Sequence, residues 1–157
     1  KRSCWAWPTG SSRPPTGTPA HRSCEVNDYA DAAERHYLSA LDLQRDHPAT
    51  ASHCLGLAAE CVLKALMCNL QPQAQKVSGN HLGKSLWSEF ANHQTIQVHP
   101  SRVAYVQKYK SGFDHWDVNQ RYWHRSEPLL NAPLLTKQQR SAQGLVGFLQ
   151  LVERGLA

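Results

Sequence analysis

The sequence predicts an all-α protein, an up-and-down bundle of about five helices in a single domain. Three observations lead to this prediction. Apolar residues recur at the helical period in several segments, and residues 48–70 are apolar on nearly all sides. No segment alternates apolar and polar residues convincingly, as a half-buried strand would. A chain of 157 residues is also long enough to bury a substantial core.

The first predicted helix begins near Asn27 or Asp28, because either side chain can cap a helix N-terminus. In the segment NDYADAAERHYLSALDLQRD, apolar residues follow the helical period and charged residues fall largely on the other side. Pro48 marks the next boundary, because proline fits the first turn of a helix but not its interior. An amphipathic helix of about five turns is therefore expected.

The second predicted helix, residues 48–70, carries only two charged side chains, Glu60 and Lys64. A helix that is apolar all round belongs in the middle of a bundle. The two charges are four positions apart in the order that favours pairing on a helix. A structural role for this pair is the favoured interpretation. The alternative is a polar site that faces a cleft.

Shorter elements follow along the chain. The segment HLGKSLWSEF predicts a third helix, ANHQTIQVHP a loop, and SRVAYVQKYK a fourth helix capped by Ser101. The prolines in SEPLLNAPLL predict an irregular connection. The last helix is expected to begin with a capping box formed by Thr136 and Gln139. Its predicted apolar face consists of Ala142, Leu145, Val146, Leu149, Val152 and Leu156.

Charge is distributed unevenly along the chain. The formal net charge is +5, but residues 1–24 alone contribute +4 and contain no acidic residue. These residues are rich in Pro, Gly, Ser and Thr, which predicts a flexible basic arm. Residues 25–157 are then a single domain with a charge of only +1, which we expect to fold without the arm. The basic overall charge is therefore weak support for any function.

Several classes of protein are disfavoured by the sequence. The arm lacks the apolar region of a secretory signal, and no apolar run approaches the roughly 20 residues that cross a bilayer. Cys54, Cys61 and Cys68 are spaced by seven, so on a helix neighbouring cysteines stand about 10.5 Å apart, too far to share one zinc ion. No glycine-rich phosphate loop or nucleophile elbow occurs. We expect a cytoplasmic protein with no membrane contact, metal or cofactor.

The stretch DHWDVNQRYWHR, residues 114–125, concentrates the reactive side chains of the chain. If it is helical, Asp117, Arg121 and His124 share one face. Arg121 would then stabilise phosphate charge and His124 would transfer a proton, as a candidate catalytic pair. The favoured alternative is a surface ion pair beside a solvated histidine.

The same region contains the basic patch of the domain. The candidate nucleic-acid-binding residues are Lys108, Lys110, His115, Trp116, Arg121, Tyr122 and Arg125. Lysine and arginine bind phosphates, and aromatic rings stack on unpaired bases. The alternative interpretation is that the aromatic side chains are buried, either at the end of the bundle or in a dimer interface, where aromatic residues are enriched.

The order of these segments resembles that of HEPN domains, small helical proteins of prokaryotic toxin–antitoxin, phage-defence and nucleotidyltransferase-associated systems. The resemblance rests on LAAECVLKAL, GNHLGKSLW and WDVNQRY, followed by a proline-containing loop and a terminal amphipathic helix. It covers about residues 26–157. It implies an up-and-down bundle that is often dimeric. In many members, an arginine and a histidine separated by four to six residues form a metal-free ribonuclease site across the dimer.

This chain departs from that ribonuclease motif. No arginine is followed by a histidine at the required spacing, and only two residues separate Arg121 from His124. Lys110 reaches His115 across four residues, but lysine lacks the planar two-point grip of arginine. The resemblance therefore implies a protein that binds RNA or a nucleotide with divergent or lost ribonuclease activity, possible roles being those of a toxin or phage-defence component.

Partners are implied in the same way. The resemblance suggests a homodimer and a partner that is an antitoxin or a nucleotidyltransferase. The alternative function is a non-catalytic dimeric module that binds another protein.

Overall fold

The computed structural model describes residues 27–72, 77–123 and 131–157. These ranges contain two long helices near the start, α1 (Tyr29–Leu43) and α2 (Pro48–Met67). Three shorter helices follow, α3 (Lys84–Asn92), α4 (Gln94–Gln97) and α5 (Pro100–Gln107). Two 3₁₀ segments, Lys110–Phe113 and Val118–Tyr122, precede the long α6 (Ala132–Glu153). No strand forms within the described ranges, so the all-α prediction is confirmed.

Helix α2 is the centre of the bundle. It packs against α1 on one side and α6 on the other, and α1 also contacts α6. Its leucines Leu55, Leu63 and Leu66 are almost completely buried, and most of its other residues are buried too. A helix with apolar residues on all sides needs neighbours on all sides, which only this position provides. The central placement predicted from the sequence is therefore confirmed.

The helix starts agree with the sequence at α1 and α2 but differ at α6. The Asp28 carboxylate accepts a hydrogen bond of 3.0 Å from Asp31 N, and Pro48 occupies the first turn of α2. Helix α6, however, is capped by Asn131, whose side chain accepts from Leu134 N at 2.9 Å. The prediction of a capping box at Thr136 was wrong, because α6 already begins at Ala132. Pro133 fits the first turn of this helix, where the N–H that proline lacks is not needed.

Other boundaries shift in the shorter elements. Ile96 is completely buried on the single turn α4, within a segment that was predicted to be a loop. Helix α5 begins at Pro100 rather than after a Ser101 cap. The face predicted for α6 is buried as far as Val152, but Leu156 is 70% exposed because α6 ends at Glu153.

Candidate functional site

The 114–125 stretch is not an α-helix where it is described. Val118–Tyr122 forms a 3₁₀ segment, and Asp117 caps it by accepting a 2.7 Å hydrogen bond from Asn119 N. At about three residues per turn, positions four apart do not share a face. The alignment of Asp117 with Arg121 was predicted on the condition that this stretch is an α-helix, and that condition is not met. His124 and Arg125 lie outside the described residues.

Arg121 and Tyr122 are both on the surface. The Arg121 guanidinium lies 4.8 Å from the centre of the Tyr122 ring, and that ring is 74% exposed. A cation over an aromatic face is a weakly favourable arrangement in water. Both side chains are accessible to a ligand, but the described residues supply Arg121 with no carboxylate partner.

Trp116 is a core residue, as the burial alternative expected. It is 7% exposed, and its indole Nε1 donates a 3.1 Å hydrogen bond to Ser52 O. Its ring stacks on His53, with 5.8 Å between ring centres and 8° between planes. Gly56 provides the space, since a Cβ at this position would lie 1.9 Å from the indole. The ring is therefore fixed on α2 and does not present an open face for base stacking.

A buried polar network holds the same segment in place. The Ser52 hydroxyl lies 2.9 Å from the amide oxygen of Gln120 and 2.6 Å from that of Gln138, so it joins α2 to the second 3₁₀ segment and to α6. The Gln120 amide nitrogen donates to His115 O at 3.1 Å. Buried polar groups that pair in this way restrict the local conformation. The backbone between His115 and Gln120 is thus attached to the core, with the side chain of His115 exposed.

A cleft of about 430 Å³ lies between the N-terminus of α3 and the first 3₁₀ segment. Its aromatic residues Trp87, Phe113 and Trp116 are each less than a tenth exposed. Its charged residues are Lys84, Lys110 and Asp114, two ammonium groups and one carboxylate. The remaining lining residue is Gly83, which lies at the N-cap position of α3 and has no side chain to bond the first-turn N–H groups.

This arrangement suits an anion joined to a planar group. The free N–H groups at a helix N-terminus and two nearby ammonium groups attract negative charge. Aromatic walls contact the flat face or edge of a ring. Two of the predicted residues, Lys110 and Trp116, line this cleft, whereas Arg121 and Tyr122 are not among its lining residues.

A second basic depression, of about 550 Å³, lies on α6. It includes Thr136, Lys137, Arg140 and Ser141. It borders the first 3₁₀ segment, because a Cβ on Gly112 would lie 2.2 Å from Ser141 Oγ and 3.4 Å from Lys137 O. Lys108, another predicted residue, is exposed, and its ammonium lies 5.0 Å from the centre of the Tyr105 ring.

Sequence reasoning missed three basic residues of this surface, Lys84, Lys137 and Arg140. They belong to α3 and α6, outside residues 108–125. Lys137 and Arg140 are three positions apart on one helix, but no local spacing relates them to Lys84 or to residues 108–125. The first 3₁₀ segment contacts α6 and lines the cleft together with the start of α3, which brings these basic residues to neighbouring surfaces.

The buried charges of α2 have a structural role. Lys64 Nζ lies 2.7 Å from Glu60 Oε1, and both side chains are at least nine-tenths buried. Glu60 Oε2 accepts from Leu82 N at 3.0 Å and lies 3.3 Å from His81 Nδ1. The pair thus attaches the segment before α3 to α2, in agreement with the favoured interpretation.

Histidines and cysteines on α1 and α2 have shifted pKa values. Burial lowers the pKa of His53, and the nearby positive charge of Arg121 lowers it further. Burial is also the main reason that the pKa of His36 is lowered. Burial raises the pKa of Cys61 to about 12, and it raises those of Cys54 and Cys68. These thiols stay protonated near neutral pH, which makes them poor nucleophiles.

Residues 27–72, 77–123 and 131–157 contain no group of three or more potential ligands that could hold a metal ion. None of the helices in these ranges has both the length and the apolar character that crossing a bilayer requires.

Another pocket, of about 310 Å³ between α1 and α6, has the opposite charge. Its acidic lining residues are Asp28, Asp31, Glu34 and Glu153. Carboxylates repel phosphate, so this pocket is a poor candidate for the same ligand.

Comparisons of the chain with protein-family models, with curated proteins and with solved structures gave no match. The resemblance to HEPN domains therefore stays a prediction from the sequence.

Proposed function

We propose that this all-α protein binds RNA or a nucleotide in the cleft between α3 and the first 3₁₀ segment. The observation that supports this proposal is the convergence of Lys84, Lys110 and the uncapped start of α3 on an aromatic-walled cleft. The cleft volume, about 430 Å³, falls within the range typical of small-molecule sites. A phosphate would contact the ammonium groups, and the attached base or sugar would contact the aromatic wall.

RNA is a ligand of this kind, and the surroundings of the cleft favour it. Lys137 and Arg140 line a depression that borders the first 3₁₀ segment, and Lys108 and Arg121 are exposed on the described surface. Positive side chains beyond a single-nucleotide site provide contacts for further phosphates. Tyr122 adds an exposed ring on which an unpaired base can stack.

Direct binding measurements test this proposal. We would measure the affinity of fluorescein-labelled single-stranded RNA by anisotropy at low salt. The doubly substituted protein Lys84→Glu/Lys110→Glu is expected to bind at least about tenfold more weakly, because two phosphate contacts become repulsive. The matched control is Arg45→Glu/Arg154→Glu, which changes the net charge equally at exposed positions outside the cleft. Equal losses in both variants would show that binding follows net charge and not this site.

Catalysis is proposed to be divergent or lost. The expected pair was Arg121 and His124, but Arg121 lies on the 3₁₀ segment against Tyr122. We expect weak or absent RNA cleavage without added metal. The check compares the unmodified protein with Arg121→Ala and His124→Ala. Strong cleavage that both changes abolish would contradict the non-catalytic proposal, while strong cleavage that neither change affects would exclude this pair.

The HEPN resemblance extends the proposal to the assembly and setting. It implies a cytoplasmic homodimer in a toxin or phage-defence system, with an antitoxin or nucleotidyltransferase partner. Light scattering of the purified chain tests the dimer. A dimer that binds no RNA would instead favour the alternative function, a non-catalytic protein-interaction module.

A further inference from the structure

Trp116 is shared between the cleft and a buried histidine. The indole lines the cleft together with Lys84 and Lys110, and the same indole stacks on His53 of α2. Its Nε1 is bonded to Ser52 O, and Gly56 leaves the space that it fills. A change in charge at His53 therefore acts on a ring that forms part of the cleft wall.

We propose that His53 and Trp116 form an acid-sensitive switch: the indole closes the cleft wall while the imidazole is neutral, and protonation of the imidazole displaces it. This inference rests on the proposed function, because it concerns the affinity of the same cleft. The switch requires that the indole, while it stays in place, keeps the His53 side chain buried, because only a buried imidazole resists protonation.

The surroundings of His53 disfavour a positive charge. The residue is 9% exposed, and its buried Nδ1 makes no hydrogen bond to any part of the chain that the structure describes. An imidazolium has two N–H donors, so a buried and unpaired nitrogen makes protonation costly. Burial accordingly lowers the pKa of His53.

Charged or titratable groups on three other parts of the chain contribute to this effect. A proton on His53 is disfavoured by Arg121 of the second 3₁₀ segment, by His36 of α1 and by His81, which precedes α3. Glu60, on α2 itself, favours it. Burial and Arg121 are the two largest influences, so the neutral form is favoured while the stack is intact.

Binding and protonation are then antagonistic. A ligand that needs the indole in the cleft wall binds the neutral form better, and by reciprocity its binding opposes protonation of His53. Affinity should fall as the pH drops through the pKa of His53 in the free folded protein, which burial holds below the ordinary histidine value of about 6.5. Ordinary surface electrostatics predicts the reverse for an anion, because exposed histidines gain positive charge in acid. The sign of the pH dependence therefore separates the two explanations.

The ligand used for the test is the dinucleotide UpU, because its phosphodiester does not titrate near neutral pH. Calorimetry at about pH 7.5 and about pH 5.5 is expected to show a loss of affinity in acid. In His53→Phe, which keeps a ring against the indole, affinity should not fall in acid. His53→Gln provides a second non-titrating variant if Phe does not fit. His47→Gln, at an exposed histidine, should behave like the unmodified protein.

A second measurement follows the indole directly, without a ligand. In protein with ¹⁵N-labelled tryptophan, the Trp116 Nε1–H resonance is assigned from Trp116→Phe. It should shift or broaden in acid in the unmodified protein and in His47→Gln, but not in His53→Phe. Unchanged or stronger UpU binding in acid, with a stationary resonance, overturns the switch but not the proposed function. Absence of binding at about pH 7.5 both of UpU and of the labelled single-stranded RNA overturns the proposed function.

Discussion

Gly56 and Trp116 show how one missing side chain determines a local structure. The indole lies where a Cβ of residue 56 would be, and Ser52 O accepts its only N–H. Tryptophan usually finds a partner for this N–H when it is buried. A glycine inside an apolar helix otherwise weakens the helix, so close packing is the physical reason for this one.

We expect Gly56→Ala to destabilise the protein by roughly 1–3 kcal/mol, because overpacking displaces the indole. Urea unfolding of the two proteins measures the difference. Gly147→Ala on α6 is the matched control, since its Cβ would meet no atom within 4 Å. That change should be neutral or stabilise by up to about 1 kcal/mol, through helix propensity alone. A stabilised Gly56→Ala protein would contradict the observed placement of Trp116.

The buried Glu60–Lys64 pair leads to a second prediction at single residues. Glu60→Ala is expected to cost about 3–5 kcal/mol, because it leaves the Lys64 ammonium buried without a counter-charge and removes the acceptor of Leu82 N. Lys64→Met should cost less, since Glu60 keeps its bond to Leu82 N. Unfolding free energies of both variants, measured in the same buffer, would decide this order. Equal small losses would show that the pair is solvated.

At the scale of the element, α6 illustrates the limits of local patterns. Its apolar face was correctly predicted as far as Val152, because the helical period repeats over many residues. Its start was misplaced because two capping patterns lie close together. Asn131 precedes a proline-containing first turn, while Thr136 and Gln139 match a capping box one turn later.

Two single substitutions distinguish these starts. Asn131→Ala should lower stability by about 1 kcal/mol, because the N–H of Leu134 loses its acceptor. Thr136→Ala should change stability by less than about 0.5 kcal/mol, because this exposed threonine lies within the helix. Thermal unfolding followed by circular dichroism provides both values. The opposite order would place the start of α6 at Thr136.

For the molecule as a whole, buried histidines connect stability to pH. The pKa values of His36 and His53 are lowered in the folded protein, mainly by burial. In the unfolded chain, these side chains bind protons once the pH falls below about 6.5. The unfolded state then binds more protons than the folded state, so stability declines as the pH falls.

The free energy of unfolding should therefore be lower at about pH 5.5 than at about pH 7.5. The variant His36→Gln/His53→Gln should lose less stability over this interval, whatever its absolute stability. Glu89, whose pKa is lowered by hydrogen bonds from Ser78 and Asn80, acts at more acidic pH, below about 4.5. Urea titrations at the two pH values measure the free energy of unfolding of both proteins. If both proteins lose the same free energy between about pH 7.5 and about pH 5.5, the histidines are excluded as the cause.

The sequence by itself determined the all-α class, the central position of α2, and the starts of α1 and α2. These features follow from residues close together in the chain, through helical periodicity, caps and proline. It also predicted Lys110 and Trp116 as binding residues, and both line the cleft in which we propose binding. The sequence did not predict that α6 starts at Ala132 or that α4 forms a helical turn. In both places the local patterns were ambiguous, and packing against other parts of the protein determined the structure.

The tertiary structure alone decided which side chains meet. Trp116 was one of several aromatic candidates until its contact with Gly56 placed it in the core and at the cleft wall. Lys84 joins Lys110 only because the start of α3 and the first 3₁₀ segment line the same cleft. Such contacts join residues distant in the chain, and their geometry depends on how whole elements fill space. A periodic pattern specifies which face of a helix is buried, but not which neighbour buries it.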